Sequence, residues 1–297
     1  GSEYRMKKLT AVLLALTLVL ALGGCTEKLV DQTKKIDTAK EGVLTVAMSP
    51  DFLPMEFVNI EKEGQERFEG FDVFLANYIA EDMGLTLELV PMEFSACQSA
   101  VANGKVDLSI SGYSYTKERA DRFLLSDTYV AGNNGTKQTV IVAKENEGKF
   151  ETAEDFQGLT ICYQESSLQQ KLAKAQLNRI SILKGYADLG TAVEALRSGS
   201  VDGVAVAEGY AKLVTAQNPD FALSGFYFEV DDSSKDNVIL VKQGSTALLT
   251  AVNKALAKAK KDELYDGWYE EAKELAARPE AYLGTYDANG NETGLKK

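Results

Sequence analysis

From Val43 onward, short apolar runs alternate with stretches of helical period, and no other feature constrains the fold of this chain so strongly. Residues 43–48 read as a strand, and residues 70–83 as an amphipathic helix that puts Phe71, Phe74, Leu75, Tyr78 and Ile79 on one face. A strand over 85–90, a helix over 95–103 and a strand over 106–110 follow. Strands joined through helices pair in parallel, so the pattern predicts an α/β fold whose largely parallel sheet carries helices on both faces. The alternation resumes with strands over 138–142, 159–163 and 201–206 and helices over 167–176, 189–197 and 209–217, which implies a second sheet. A last strand over 237–241 precedes two helices, 246–258 and 262–276. The segment 277–297, with Asn289-Gly290-Asn291, has turn chemistry and little apolar content, and is expected to be mobile or loosely packed.

A short internal repeat supports two units. Ala100 to Asp107 and Ala195 to Asp202, 95 residues apart, share the pattern A-x-x-x-G-x-V-D. In each copy a helix runs into a Gly suited to the left-handed cap, and an apolar strand follows at once. The match is too short to prove duplication, but it suggests two lobes of like topology, and 297 residues leave room for two domains of roughly 100 to 200 residues each.

Composition narrows the chemistry. With 32 basic and 44 acidic residues the formal charge is −12, which argues against a nucleic-acid partner, because such a partner requires a basic surface. There is no histidine. Nucleophile systems built on a His base and His-ligated metal sites are therefore excluded, and any enzyme here would work with carboxylates, Lys, Tyr or Cys alone. The three cysteines, Cys25, Cys97 and Cys162, form no metal spacing. Cys97 and Cys162 read as small buried hydrophobes that pair only if the fold brings them within disulfide range. No cofactor and no metal is expected.

The first residues have a separate logic. Gly1 to Arg5 read as an addition ahead of a natural start at Met6, after which Lys7 and Lys8 precede an apolar run of 14 residues, Leu9 to Leu22. Such a run is short for a bilayer span, which needs about 20 residues, and has the form of a signal peptide. It ends Leu22-Gly23-Gly24-Cys25, which resembles the lipobox of bacterial lipoproteins. The resemblance implies cleavage after residue 24 and lipidation of Cys25, with residues 25–41 as a polar tether. Loss of Glu3, Arg5, Lys7 and Lys8 takes the charge from −12 to −14, so a lipid rather than the protein surface would hold the body to an anionic membrane. The expected location is extracytoplasmic, anchored to the cell membrane.

Several stretches, in their order, carry a wider resemblance. Leu44-Thr-Val-Ala-Met-Ser-Pro-Asp-Phe-Leu-Pro-Met-Glu-Phe57, Gly70-Phe-Asp72, Ala102-Asn-Gly-Lys-Val-Asp107, Tyr115-Thr-Lys-Glu-Arg119, Leu125-Ser-Asp-Thr-Tyr129 and Asn253-Lys-Ala-Leu256 followed by Trp268 resemble the polar amino-acid solute-binding proteins of bacterial ABC importers, over about residues 42–272. The resemblance implies the two-lobe type II periplasmic-binding-protein fold, with residues 42–131 plus 237–276 in lobe 1, residues 132–236 in lobe 2, and hinge strands near 129–134 and 230–236. It also implies a monomer that closes on an amino acid or related small carboxylate and delivers it to an ABC permease.

On that pattern Arg119, just after Thr116 at a helix start, offers its planar donor fork to the ligand's carboxylate. Ser111, Gly112 and Ser114 follow a strand end, where Gly lets backbone approach a ligand and hydroxyls bind either end of an amino acid. Gln164, Ser167 and Leu168 link a strand to a helix whose N-terminus is a ready anion site, and Ser167 also reads as a plain N-cap. Phe52 and Phe94 occupy positions for aromatic contact with the ligand, although each also suits a core. The resemblance breaks at two positions. Ala207 stands where members usually carry the Asp that holds the ligand's ammonium, and Ser49 where many carry the Asp that reads a cationic side chain. Either the neighbouring Glu208 has taken over the ammonium or the ligand lacks a conventional α-amine. A cleft without these carboxylates is a poor host for Lys, Arg or His and points to a neutral amino acid, aromatic and sulfur-containing ones included. Two other classes remain open at this stage: a dehydratase acting on cyclohexadienyl carboxylates with Glu208 or Glu165 as acid, and a sensor for a separate membrane protein.

Overall fold

In a computed structural model the described residues are 36–132 and 137–297, so the leader, Cys25 and most of the tether, together with residues 133–136, which take in the end of the first expected hinge, lie outside them. Among the described residues no helix is long and apolar enough to cross a membrane. Residues 37–297 form one compact unit built on three sheets.

The first sheet has the order β4-β1-β5-β12-β6, made of β1 (Val43–Met48), β4 (Thr86–Pro91), β5 (Leu108–Ser109), β6 (Leu124–Leu125) and β12 (Leu240–Val241). Its helices are α1 (Phe71–Asp82), α2 (Phe94–Ala102) and the short α3 (Lys117–Arg122), with α7 (Thr246–Lys261) and α8 (Leu264–Ala276) returning from the far end of the chain. Of the expected apolar face of α1, Phe71, Leu75 and Ile79 are fully buried and Phe74 and Tyr78 half-buried, and Phe71 packs against Tyr129, Tyr265, Trp268 and Tyr269. The second sheet has the order β11-β7-β10-β8-β9, from β7 (Gln138–Ala143), β8 (Thr160–Gln164), β9 (Ile182–Tyr186), β10 (Gly203–Ala207) and β11 (Phe221–Tyr227), with helices α4 (Leu168–Gln176), α5 (Leu189–Arg197) and α6 (Glu208–Gln217). This is the two-lobe α/β architecture that the alternation of strand and helix predicts.

The sheets are mixed rather than largely parallel. β1 runs parallel to β4 and β5, and β8 parallel to β9 and β10, whereas β12, β6, β7 and β11 pair antiparallel. The antiparallel strands are those that border the two passages between lobes, 126–137 and 228–239. The passages also bond to each other, Tyr129 N–H to the Asn237 carbonyl at 2.9 Å and Asn237 N–H to the Tyr129 carbonyl at 3.0 Å.

The C-terminal segment departs from expectation. Residues 281–286 (β13) and 292–296 (β14) form an antiparallel hairpin that pairs with β2 (Phe57–Asn59), which pairs with β3 (Phe68–Glu69). The few apolar residues suffice because they are buried: Ala281, Leu283 and Tyr286 are each less than 10% exposed. Ala281 and Leu283 join the cluster of Leu189, Ala192, Val193 and Leu196 on α5, so the hairpin pairs with one lobe and packs on the other. Cys97 and Cys162 are free thiols, both fully buried, in different lobes.

Candidate functional site

The ends of the strands and the starts of the helices converge between the lobes. A cavity there is lined from lobe 1 by Phe52, Phe94, Ser111, Gly112, Ser114 and Arg119, from lobe 2 by Gln164, Ser167, Leu168, Gln169, Leu189 and Ala207, and from the passages and their borders by Gln138 and Asn237.

Arg119 is the charged group of this wall. Thr116 caps α3, its hydroxyl accepting the Arg119 N–H at 3.2 Å, and this places the side chain over the Tyr113 ring, 5.0 Å from its centroid. Tyr113 in turn stacks on Phe94 with centroids 5.0 Å apart. The guanidinium is 6% exposed and spends two donors on backbone, Nη1 to the Ser114 carbonyl at 2.6 Å and Nη2 to the Ser166 carbonyl at 3.0 Å. A guanidinium has five N–H donors, so most of the fork is left for a further acceptor. It has no acidic partner within ion-pair distance among the described residues, and burial pushes its pKa down to about 10. A desolvated cation without a counter-ion is costly, and an anionic ligand would relieve that cost.

Gly112 has φ +61°, and a Cβ there would lie 2.5 Å from the Phe52 ring. Its glycine is therefore required both by backbone conformation and by the close approach of the aromatic wall. Across the cavity, Ser167 caps α4: its hydroxyl accepts from Gln170 N–H at 3.1 Å and donates to the Gln164 carbonyl at 2.6 Å. The first-turn N–H groups of Leu168 and Gln169 have no intrahelical partner, and both residues line the cavity with Arg119. Ser167 is thus the N-cap of α4.

Two of the expected site residues are elsewhere. Glu208 does not line the cavity; its carboxylate accepts from Tyr227 Oη at 2.9 Å and lies 3.4 Å from Lys212 Nζ, held by its own helix and by β11. The expectation that it takes over an ammonium is corrected on that ground. Ser49 also sits behind the wall, donating to Asp51 Oδ1 at 2.9 Å. Glu165, the other acid considered for an enzyme, is exposed and outside the lining.

Several residues of the site carry no sequence signal of their own. Asp51, fully buried, accepts from two lobe-2 donors, Leu189 N–H at 2.8 Å and Gln164 Nε2 at 3.1 Å. Burial, and then the nearby Asp188 charge, push its pKa up to about 7. Ser166, in the left-handed region at φ 64°, turns its carbonyl to lobe 1, where Arg119 and Gln98 Nε2 both donate to it. The lobes are thus closed on each other by hydrogen bonds at two places. Behind Gly112, Asp72 accepts from Gly112 N–H at 2.7 Å and from Tyr129 Oη at 2.8 Å. Burial pushes Asp72 up to about 6; burial, and then Asp72 itself, hold Glu56 well above the carboxylate range, and Glu56 Oε2 is buried without a hydrogen-bond partner among the described residues. Gln138, Gln169, Leu189 and Asn237 complete the lining. Single amides and a single Leu have no motif; only Gln138, the Cα partner of Ala207 across the ladder, is traceable, and only once β7 and β10 are in register.

The chain is similar to several known proteins. A probable histidine-binding protein of Campylobacter jejuni is 28% identical over 262 residues, which covers 88% of this chain and 96% of that protein. The amino acid ABC transporter substrate-binding protein AbpA of Streptococcus pneumoniae, solved with L-arginine bound, superposes with a TM-score of 0.73 at 33% identity, covering 80% of this chain and 97% of the other. A cyclohexadienyl dehydratase of Pseudomonas aeruginosa is 30% identical over 155 residues, about half of each chain. The model of the bacterial extracellular solute-binding proteins, family 3, matches residues 44–271, and this chain, a binding protein and not an enzyme, belongs to that family.

Proposed function

We propose that this protein is the lipid-anchored, extracytoplasmic receptor of an ABC importer, capturing a neutral amino acid between its lobes and presenting the closed form to a permease. The observation that carries the reading is Arg119, buried beside the cavity, without an acidic partner among the described residues and with donors to spare. A ligand carboxylate supplies the missing charge, and the α4 N-terminus binds it from the opposite lobe, so the ligand favours closure because only the closed form offers both. The names of the relatives point to amino acids as the ligand class.

Neutrality of the ligand side chain follows from the lining. Among the described residues no Asp or Glu lines the cavity, and Asp51, behind the wall, is already occupied by Ser49, Gln164 and Leu189. The cationic ligand of the Streptococcus pneumoniae protein would find no carboxylate on this wall. The dehydratase reading loses its acid, since Glu208 and Glu165 are outside the wall. Membrane attachment rests on the lipobox-like Leu22-Gly23-Gly24-Cys25, and mass spectrometry of the protein expressed with its leader is expected to find a lipid on Cys25.

Calorimetric titration with a panel of amino acids tests the ligand class: a neutral amino acid is expected to bind tightest, and tighter binding of arginine or lysine would refute the neutral reading. Arg119→Ala is expected to weaken binding at least a hundredfold, about 2.8 kcal/mol, and a loss within tenfold would refute the clamp.

A further inference from the structure

An amino acid brings two charges to the cleft, and the wall offers only the positive one of Arg119 to meet them. The ammonium must therefore be received by neutral acceptors, and the hydrogen bonds inside the protein decide which are available. Ser111 Oγ is committed, donating to Glu56 Oε1 at 2.7 Å and accepting from Ser49 N–H at 3.0 Å. Ser167 Oγ is committed to α4 and to the Gln164 carbonyl. The amide nitrogen of Gln164 is tied to Asp51 and the Ala187 carbonyl and that of Gln169 to Gln138 Oε1 at 2.5 Å, which fixes both side chains and leaves only their oxygens as acceptors.

Asn237 is different. Its residue is 2% exposed and lines the cavity, yet its side-chain amide makes no hydrogen bond among the described residues, and Nδ2 is buried without a partner. Buried polar groups are nearly always bonded, so an unengaged amide on a cavity wall points to a group that arrives with the ligand. Position fits as well. Asn237 forms an antiparallel bridge with Ser114, whose Oγ likewise has no partner within the described protein and whose carbonyl holds Arg119 Nη1. Carboxylate and ammonium of an amino acid share one carbon, so the ammonium receptor must adjoin the carboxylate clamp, as Ser114 and Asn237 do. Ala207 brings no acid to the cavity from lobe 2.

We propose that Asn237, with Ser114 Oγ beside it, receives the ligand's α-ammonium through its amide oxygen, a neutral receptor in place of a carboxylate. An Asn amide exchanges its oxygen and nitrogen by rotation about one bond, so the same side chain can turn Oδ1 to an ammonium. The inference rests on the amino-acid reading above and deepens it.

The test compares each ligand with its own analogue. The amino acid among the twenty protein ones that binds the wild-type protein tightest is titrated calorimetrically beside its 2-hydroxy acid, which keeps the carboxylate and side chain and replaces the ammonium by a neutral hydroxyl. In Asn237→Asp the affinity ratio of amino acid to hydroxy acid is expected to rise at least tenfold, because only the ammonium gains from the new carboxylate. In Asn237→Ser, which shortens the receptor, the ratio is expected to fall. Thermal melts establish that each variant is folded, and since the ratio is taken within one variant, a general loss of stability cancels. A ratio unchanged in whichever variant folds, or moved the opposite way, overturns the assignment, since a purely structural amide would shift both ligands together. Failure of the wild-type protein to bind any amino acid would instead remove the amino-acid reading itself, and the assignment with it.

Discussion

The two lobes carry the same local device at different depths. In lobe 1 the repeat Ala100 to Asp107 ends α2 at Gly104, φ +70°; in lobe 2 the repeat Ala195 to Asp202 ends α5 at Gly199, φ +76°. Each then delivers an Asp to the entry of a parallel strand pair. Asp107 N–H donates to the Thr45 carbonyl while Thr45 N–H donates back to Asp107 Oδ2 at 2.8 Å; Asp202 N–H donates to the Thr160 carbonyl while Thr160 N–H donates back to Asp202 Oδ2 at 2.8 Å. The difference is burial and company. Asp107 is 7% exposed and also accepts from Thr45 Oγ1 and Ala39 N–H, whereas Asp202 is exposed and has the single donor. Equal motifs therefore need not contribute equally; the environment sets the strength of a charge-assisted hydrogen bond.

Lobe 1 also holds the C-terminal hairpin, which has no counterpart on the second sheet. Removing residues 278–297 strips buried Ala281, Leu283 and Tyr286 and uncovers Phe57 and Val58, and should cost about 4 kcal/mol of stability by denaturant titration. A truncated chain as stable as the whole would show the hairpin to be an appendage. The repeated Asp comes next. Asp107→Ala strands the buried Thr45 donors and should cost about 3 kcal/mol, while Asp202→Ala, in water, should cost about 1 kcal/mol or less. Equal losses would mean that the extra donors of Asp107 contribute nothing.

A further effect concerns the acid that joins the lobes. Asp51 holds its proton up to about pH 7 in the folded protein and releases it near 4 when unfolded, so the folded state binds more protons between these values. Stability should therefore rise as pH falls from 7 to 5, by up to about 2 kcal/mol from this group. Asp72, raised to about 6, acts in the same direction. Melting curves across this range should show a shallower slope in Asp51→Asn than in the wild type, and an unchanged slope would mean that Asp51 does not titrate there.

Most of the fold was legible because it is written in local patterns. Apolar period and caps located β1, α1, α2, α4 and α5 to within a residue or so, and Thr116 and Ser167 marked the helix starts that aim Arg119 and the α4 N–H groups. β9 went unread because none of its residues is fully buried, and β11 because its partner β7 lies far along the chain. The hairpin was misread because its composition resembles a loop, and only pairing with β2 buries it. Glu208 was misread because sequence adjacency to Ala207 says nothing of direction: at a strand-to-helix turn successive side chains diverge, and this one turns to Tyr227 and Lys212.

The sequence by itself determined the class of fold, the order of the two lobes along the chain and the single guanidinium of the site, because these depend on periodicity, capping and residue type over short spans. Only the tertiary structure decided which polar groups the protein satisfies internally and which it leaves for a ligand. Asn237 is one amide in a passage between lobes, and its meaning arises where Ser114, some 120 positions earlier, comes to lie beside it. Hydrogen-bond satisfaction is a property of neighbours in space, and for groups that far apart in the chain no local pattern encodes it.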